Sequence, residues 1–267
     1  MNKKRIIVAG ATGWAASELC RGIAAAEDLV LVAAISRKNA GGDLNEILNL
    51  GLTAEIPVFQ TVEEAVEIEA DIFVEYTKAE IAKHHVMTAL SASLDVIIGT
   101  SGLNDRDYME IATATDRCEQ SVLAVGNFAI GVVLLNKFAE MAARYMPSWE
   151  IIDYAKTEKK DCPSGSAKEL ANRLSKVGAS KKVIPVDQIN GPKEIRGADL
   201  NGTQVHSVRL PGINIALESI FGLPDEQLTI KHNAGGSAKP YVGGALLAIR
   251  KVSKLKGFHR GLDTVMD

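Results

Sequence analysis

Cysteine is scarce in this chain, and long apolar runs are absent. The three cysteines among 267 residues are widely spaced, without a metal-binding or redox pair, which fits a reducing cytosol. No segment approaches the length needed to cross a membrane. Basic residues before the first apolar run imitate a secretory signal, but two glycines and Glu18 interrupt that run. We therefore expect a soluble cytoplasmic protein with no membrane partner.

An excess of either charge is also lacking. Lys and Arg number 30 and Asp and Glu 33, for a net charge of -3, and the basic residues are scattered, so we expect no nucleic acid partner. The histidines at 206, 232 and 259 lack ligand partners at helix spacing, so we expect no metal. A hydrophobic content of 46% and a charged content of 24% indicate a globular protein with one large or two modest domains.

Apolar runs alternate with helical stretches in the first hundred residues. The strand candidates are almost continuously apolar and cover residues 6–9, 29–35, 72–75 and 96–98. Such strands between helices predict a parallel sheet covered on both faces.

A glycine-rich turn of spacing G-x-x-G-x-x-A follows the first strand and opens the first helix. Its glycines allow a tight turn and close backbone approach, so that a pyrophosphate can sit at the helix N-terminus. We therefore predict that a dinucleotide binds through Gly10, Thr12, Gly13, Trp14 and Ala15.

The residues after the second strand distinguish between cofactors. A site specific for NAD places an acidic residue there, to bind the ribose 2′-hydroxyl. This chain has Ser36, Arg37 and Lys38 instead. A hydroxyl and two cations suit a 2′-phosphate, so we expect NADPH to be preferred over NADH.

The stretch K-D-C-P-S-G-S at residues 160–166 lies between a predicted strand and a predicted helix. Pro163 suits an early helix position. Three amides would be unpaired donors at the helix start, those of Ser164, Gly165 and Ser166. Such a start binds anions, and Lys159 adds positive charge beside it.

This stretch resembles the signature of the dihydrodipicolinate reductase family, roughly E-x-H-H-x-x-K-x-D-A-P-S-G-T. Aligned on D-C-P-S-G-S, the family's lysine falls on Lys159, and its paired histidines fall on Ala155 and Lys156. Cys162 replaces an alanine, and we expect it to be a small buried side chain. The resemblance continues in order with V-H-S-V-R-L-P-G at 205–212, L-T-I-K-H at 228–232 and G-L-D-T-V at 261–265.

Three further motifs resemble the family's contacts to the nicotinamide end of the cofactor. E-Y-T at 75–77, G-T-S-G at 99–102 and V-G-N-F-A at 125–129 resemble D-F-T, G-T-T-G and A-N-F-S. The cofactor contacts that the resemblance implies are Tyr76, Thr77, Gly99, Thr100, Ser101, Asn127 and Phe128. His84 and His85 invite a catalytic interpretation, but they lie in a predicted helix remote from the strand ends, and we expect them on its surface.

The resemblance also implies a division into domains. A dinucleotide-binding domain of the Rossmann type would comprise residues 1–128 and the tail 241–267, and a substrate-binding and oligomerisation domain would comprise 129–240. Alternating polar and apolar stretches near residues 203–232 predict a mostly antiparallel open sheet in that α+β domain. A homotetramer built through these sheets is implied, although some relatives are dimers.

The family's enzyme reduces a cyclic C=N compound carrying two carboxylates, with hydride from the nicotinamide. The resemblance implies that the lysine and the P-S-G-T amides hold a carboxylate, which assigns substrate binding to Lys159, Ser164, Gly165 and Ser166. The first histidine is thought to supply the proton. Ala155 cannot do so, which leaves Lys156, Tyr154 or Glu158. An amino group ordinarily has a pKa far above neutral and would need desolvation or neighbouring cations to serve.

Several functions are compatible with these features. The sequence favours an NADPH-dependent reductase of a cyclic imine, possessing the family's hydride chemistry but a diverged substrate. One alternative is the lysine-pathway 4-hydroxy-tetrahydrodipicolinate reductase with Lys156 in place of the histidine. A second is a non-catalytic NADPH-binding regulator, and a third is a dehydrogenase that oxidises a small amine or amino acid.

Overall fold

The computed structural model describes residues 3–266, which form two compact units. One unit contains the chain up to Ala129 together with the chain from Ala238 onward, and the other is Ile130–Ser237. The α-helices are α1 (Trp14–Ala24), α2 (Leu44–Leu48), α3 (Val62–Ala65), α4 (Ala79–Ser91), α5 (Asp105–Thr115), α6 (Ile130–Ala143), α7 (Gly165–Ser175) and α8 (Lys239–Lys251).

The first unit is built on a sheet of seven parallel strands. These strands are β1 (Lys4–Ala9), β2 (Leu29–Ile35), β3 (Val58–Phe59), β4 (Ile72–Glu75), β5 (Asp95–Ile98), β6 (Ser121–Ala124) and β12 (Gly257–Arg260). Their order across the sheet is β12-β6-β5-β4-β1-β2-β3. The order reverses between β1 and β4, and this is the position at which open parallel sheets bind ligands, outside the carboxyl ends of the strands.

The prediction of a Rossmann-type parallel sheet is confirmed. The four predicted strands are present because continuous apolar runs are buried from both faces, as in β4, where all four residues are buried. The strands β3, β6 and β12 were not predicted. β3 has only two residues, and β12 keeps a half-buried histidine and an exposed arginine, so neither carries a strong apolar signal.

The last α-helix packs within the first unit. A Cβ on Gly22 of α1 would collide with Val242 of α8, and one on Gly244 would collide with the carbonyl of Phe128. Small residues thus allow the backbone of α8 to approach both α1 and the segment after β6.

The second unit contains a mixed sheet of five strands, in the order β11-β10-β7-β9-β8. They are β7 (Ser148–Ala155), β8 (Ala198–Leu200), β9 (Thr203–Arg209), β10 (Ile215–Leu223) and β11 (Glu226–Ala234). All neighbours are antiparallel except β7 and β9, which confirms the predicted mostly antiparallel sheet. Buried and half-buried residues alternate along β7, and its buried face packs with residues of α6 and α7.

Within residues 3–266, no helix is long and apolar enough to span a bilayer. No group of three or more His, Cys, Asp or Glu side chains in that range could hold a metal ion.

Candidate cofactor and substrate sites

The glycine-rich turn lies at the carboxyl end of β1 and is closed by its own backbone. Gly10 donates its amide to Ile35 at 2.9 Å, and Gly13 donates its amide to Gly10 at 2.8 Å. Gly10 has φ +74°, and a Cβ there would lie 2.5 Å from the carbonyl oxygen of Tyr76, so only glycine fits.

Helix α1 then begins at Trp14, with Gly13 as an N-cap that offers no side chain to its amides. Within the described chain, the amides of Trp14 and Ala15 donate to no protein group. The turn and the helix start therefore form an open backbone cradle that suits a pyrophosphate. Thr12 beside them contacts Ser36, with 2.9 Å between the hydroxyl oxygens.

The three residues after β2 occupy the adjacent end of the sheet. Ser36 is buried, whereas Arg37 and Lys38 are exposed. Neither cation has an ion pair or side-chain hydrogen bond with another described residue. Two uncommitted cations beside a hydroxyl and the glycine turn can receive a phosphate dianion.

The segments predicted to hold the nicotinamide end come together in the first unit. The rings of Tyr76 and Phe128 are 5.6 Å apart between centroids, and a Cβ on Gly99 would lie 2.7 Å from the Tyr76 ring. Asn127 accepts the amide of Ala129 at 2.9 Å and so fixes the turn before α6. Burial raises the pKa of Tyr76, which keeps its hydroxyl protonated. Ser101 is exposed at the same end of the sheet.

Thr77 and Thr100 donate hydrogen bonds to the carboxylate of Glu75. Glu75, the last residue of β4, is completely buried and accepts the Thr77 amide at 2.6 Å and the Thr100 hydroxyl at 3.1 Å. The Thr77 hydroxyl also donates to it. Both threonines therefore shape the strand ends through their side chains.

The predicted surface position of the two histidines is wrong for one of them. His84 is exposed and pairs with Glu63 at 2.7 Å. His85 is buried, and its Nδ1 lies 2.7 Å from the Glu75 carboxylate. The two residues point to different faces of α4 because neighbours on a helix are about 100° apart.

The predicted anion-binding loop lies in the second unit, at the start of α7. The helix begins at Gly165, and Ser164 is its N-cap, accepting the amide of Ala167 at 3.3 Å. Pro163 therefore precedes the cap, so its predicted early helix position is wrong. Among described residues, the amides of Gly165 and Ser166 have no acceptor, which leaves two donors for an anion.

The prediction of a third free amide is wrong. The Ser164 amide donates to Oδ2 of Asp153 at 2.8 Å. Asp153 is completely buried in β7 and forms an ion pair with Arg209 of β9 at 2.7 Å. Arg209 also donates to the carbonyl of Asp161 at 2.8 Å, so one buried pair fixes both ends of the loop.

Asp153 and Arg209 were not identified as site residues from the sequence. Asp153 occupies an inward position of β7, between the buried residues Ile151 and Ala155. A carboxylate at an inward position implies a buried partner, and this signal could have identified it. The partner itself depends on the β7–β9 register, which pairs Asp153 with Ser207 and Ala155 with Arg209.

The predicted lysines differ in their surroundings. Lys159 is half-buried and pairs with Asp161 at 2.8 Å, and this hydrogen bond lowers the pKa of the Asp161 carboxyl. Lys156 is exposed, and its ammonium has no partner among the described residues. Cys162 is exposed, which corrects the expected burial, because its neighbours Lys160 and Asp161 also face solvent.

Tyr154 points to the face of the sheet opposite Asp153. Its hydroxyl donates to Glu218 at 2.9 Å, and Lys231 lies 2.8 Å from the same carboxylate and 4.2 Å from the tyrosine ring centroid. Burial, and then the Glu218 hydrogen bond, raise the pKa of Tyr154. The Glu218 hydrogen bond also raises the pKa of Lys231. The phenol proton is therefore held firmly within this cluster.

Comparisons with known proteins identify the family to which both halves of the chain are similar. The family model described as "Dihydrodipicolinate reductase, N-terminus" matches residues 4–128, and the one described as "Dihydrodipicolinate reductase, C-terminus" matches residues 131–266. A 4-hydroxy-tetrahydrodipicolinate reductase of Desulfitobacterium hafniense is 35% identical over 100% of both chains. One from Thermosynechococcus vestitus is 34% identical over 98% of this chain and 96% of its own.

Solved structures extend the comparison. Dipicolinate-bound dihydrodipicolinate reductase from Paenisporosarcina sp. TG-14 has a TM-score of 0.89 and 30% identity, covering 99% of this chain and 100% of its own. An amine dehydrogenase from Mycobacterium smegmatis, at 13% identity and a TM-score of 0.68 with coverage of 97% and 95%, shares the fold.

The Rossmann-type sheet with its glycine turn is typical of dinucleotide-binding enzymes. More specifically, the chain belongs to the dihydrodipicolinate reductase family. It is an NAD(P)H-dependent reductase that acts on a C=N bond. Family membership thus favours a working enzyme over the non-catalytic regulator.

Proposed function

We propose that this protein reduces 4-hydroxy-tetrahydrodipicolinate, with NADPH as the preferred cofactor and the second unit as the substrate domain. The observation that carries the proposal is the start of α7, where two free amides lie in one loop with Lys159 and are fixed by the buried Asp153. Full-length relatives that are 34% and 35% identical and bear this activity in their names support it. They support this alternative better than the diverged cyclic-imine substrate that the sequence alone favours.

The residues of the first unit suit NADPH. The Gly10 turn and the amides of Trp14 and Ala15 would hold the pyrophosphate, and Arg37 and Lys38 would hold the 2′-phosphate. Tyr76 and Phe128 would flank the nicotinamide. When bound, NADPH supplies the hydride that reduces the substrate ring.

The residues of the second unit would bind and orient the substrate. The amides of Gly165 and Ser166 donate to one carboxylate, and Lys159 pairs with it after leaving Asp161. Fixing the ring in this way lowers the barrier by orientation. A substrate carboxylate and Asp161 thus compete for the same ammonium.

The proton that completes the reduction would come from Lys156. Ala155 is buried and carries no proton, and the Tyr154 hydroxyl is engaged with Glu218. Glu158 is exposed and has no proton to give when ionised. Lys156 is the remaining donor of the three candidates, and its ammonium is uncommitted.

A second candidate function is the reduction of another cyclic imine. It is favoured by Ala155, which stands where the family has a histidine. A basic imine can arrive already protonated, and the resulting iminium accepts hydride without an acid from the protein. General acid catalysis is ordinarily worth about 10²–10⁴-fold, which such a substrate would not need.

The test is NADPH oxidation by the purified protein with three substrates. These are 4-hydroxy-tetrahydrodipicolinate, a six-membered cyclic imine with one carboxylate on the C=N carbon, and the same ring without it. We expect the first to turn over fastest. Turnover of the simple imines with none of the pathway compound would overturn the proposal in favour of the second candidate.

The assembly is proposed to be a homotetramer, with a dimer as the alternative. The support is the family resemblance and the five-stranded sheet, whose Tyr154 face bears the half-buried apolar residues Ile152, Val208 and Ile220. Light scattering of the purified protein, with and without NADPH, decides between the two.

A further inference from the structure

Glu75 is a buried carboxylate at the carboxyl end of β4. It is 0% exposed, and a carboxylate in such a place requires donors on all sides. One oxygen, Oε1, accepts the Thr77 amide, the Thr77 hydroxyl and the Thr100 hydroxyl. The other, Oε2, lies 2.7 Å from Nδ1 of His85.

These bonds join two separate strand ends. Thr77 follows β4, and Thr100 follows β5 and bonds both the carboxylate and the carbonyl of Glu75, at 3.1 and 3.3 Å. Between them lie Tyr76 and Gly99, which are so close that a Cβ on Gly99 would lie 2.7 Å from the Tyr76 ring. The position of the Glu75 carboxylate therefore sets the spacing of the two turns.

His85 approaches this cluster from a different element. It lies on α4, and its ring also packs edge-on against Phe73 in the middle of β4, with centroids 6.3 Å apart. It provides the hydrogen bond to Oε2, while the threonines occupy Oε1. Without it, this oxygen would lose its partner, and the buried carboxylate would be held through Oε1 alone.

We propose that His85 is a positioning residue of the cofactor site, which holds Glu75 and through it the two turns that receive the nicotinamide end. The inference rests on the proposed function only for the assignment of these turns to the nicotinamide. His85 is itself buried and reaches the site through Glu75, whereas the 2′-phosphate residues Arg37 and Lys38 follow β2, a strand outside the cluster.

The experiment compares variants that keep or remove the Nδ1 donor. In His85→Asn, the amide nitrogen stands the same number of bonds from the backbone as Nδ1 and can donate to Glu75. In His85→Gln, the amide is one methylene farther out, and in His85→Leu there is no donor. His84→Leu, at the exposed neighbouring position, is the matched control.

The first readout is binding, measured by titration with two ligands. One is NADPH, and the other is 2′-phospho-ADP-ribose, which lacks the nicotinamide. We expect the Leu and Gln variants to raise the Kd of NADPH by about tenfold or more, because binding would then have to order the two turns that this hydrogen bond holds in place in the free protein. The Kd of 2′-phospho-ADP-ribose should stay near the wild-type value, and the Asn and His84→Leu variants should resemble wild type with both ligands.

The second readout needs no cofactor. Hydrogen exchange of the Thr77 amide, which donates to Glu75, should accelerate in the Leu and Gln variants and return toward wild type in Asn. If the Leu variant does not fold, the Gln variant carries the same comparison.

The inference would be overturned if the Leu and Gln variants lost affinity for both ligands equally, or if their affinity for NADPH did not change. It would also be overturned if the Asn variant failed to restore NADPH binding. Wild-type protein that does not bind NADPH would instead contradict the proposed cofactor, and the Thr77 exchange would still test whether His85 holds the turn.

Discussion

Asp153 accepts the amide of Ser164 at 2.8 Å, and this hydrogen bond joins the buried face of β7 to the N-cap of α7. The same carboxylate pairs with Arg209, which in turn holds the carbonyl of Asp161. The shape of the predicted anion-binding loop is thus fixed from inside the sheet.

Replacing Asp153 should destabilise the protein. Asp153→Asn keeps an acceptor for Ser164 but leaves the guanidinium of Arg209 buried without its counter-charge. Breaking a buried pair in this way ordinarily costs about 3–5 kcal/mol. Urea unfolding measures the change, and Asp28→Asn, in an exposed pair with Arg250, is the control that should change stability little. Equal effects of the two substitutions would contradict the buried-pair account.

Removing the ammonium of Lys159 should weaken substrate binding selectively. We expect Lys159→Ala to raise KM for a carboxylated substrate by about 10- to 100-fold, the loss of a hydrogen bond between charged groups. KM for NADPH should not change. Steady-state kinetics measure both constants, and Lys168→Ala, at an exposed lysine on α7, is the control. A rise in KM for NADPH alone would place Lys159 outside the substrate site.

Removing the guanidinium of Arg37 should reduce the preference for NADPH. Arg37→Ala should raise KM for NADPH by about tenfold, because a charge-assisted hydrogen bond to phosphate is lost. KM for NADH, which lacks the 2′-phosphate, should remain as in wild type and provides the internal control. A parallel rise with both cofactors would instead indicate a structural role.

Stability should depend on pH through His232. Its ring lies against Gly131 of α6, where an added Cβ would be 2.6 Å from Cδ2, and burial lowers its pKa below the ordinary 6.5. The folded state therefore favours the neutral ring. The contribution of His232 to stability is complete above pH 6.5, the pKa of the unfolded state. It decreases as the pH falls from there through the lower pKa of the folded state.

His232→Phe keeps a ring of similar shape but cannot take up a proton. Urea unfolding at a series of pH values should show less loss of stability below pH 6.5 in this variant than in wild type. His84→Gln, at an exposed position, should retain the wild-type dependence. If the free energy of unfolding of wild type and of His232→Phe falls equally below pH 6.5, a group other than His232 causes the pH dependence.

The sequence by itself determined the class of fold and the position of the glycine-rich turn. Both depend on local patterns, since continuous apolar strands are buried on two faces and Gly10 has a backbone angle that side chains rarely adopt. The family motifs extended the prediction of the fold to the whole chain, because they occur in the family's order from Gly10 to the G-L-D-T-V motif at 261–265.

Tertiary structure alone decided which polar groups are free. The Ser164 amide resembles its neighbours in sequence, but the register of β7 directs Asp153 toward it, which leaves only Gly165 and Ser166 open. His84 and His85 are adjacent in sequence, yet one faces solvent and the other Glu75. Hydrogen-bond partners distant along the chain are set by packing and strand register, which no local pattern of residues contains.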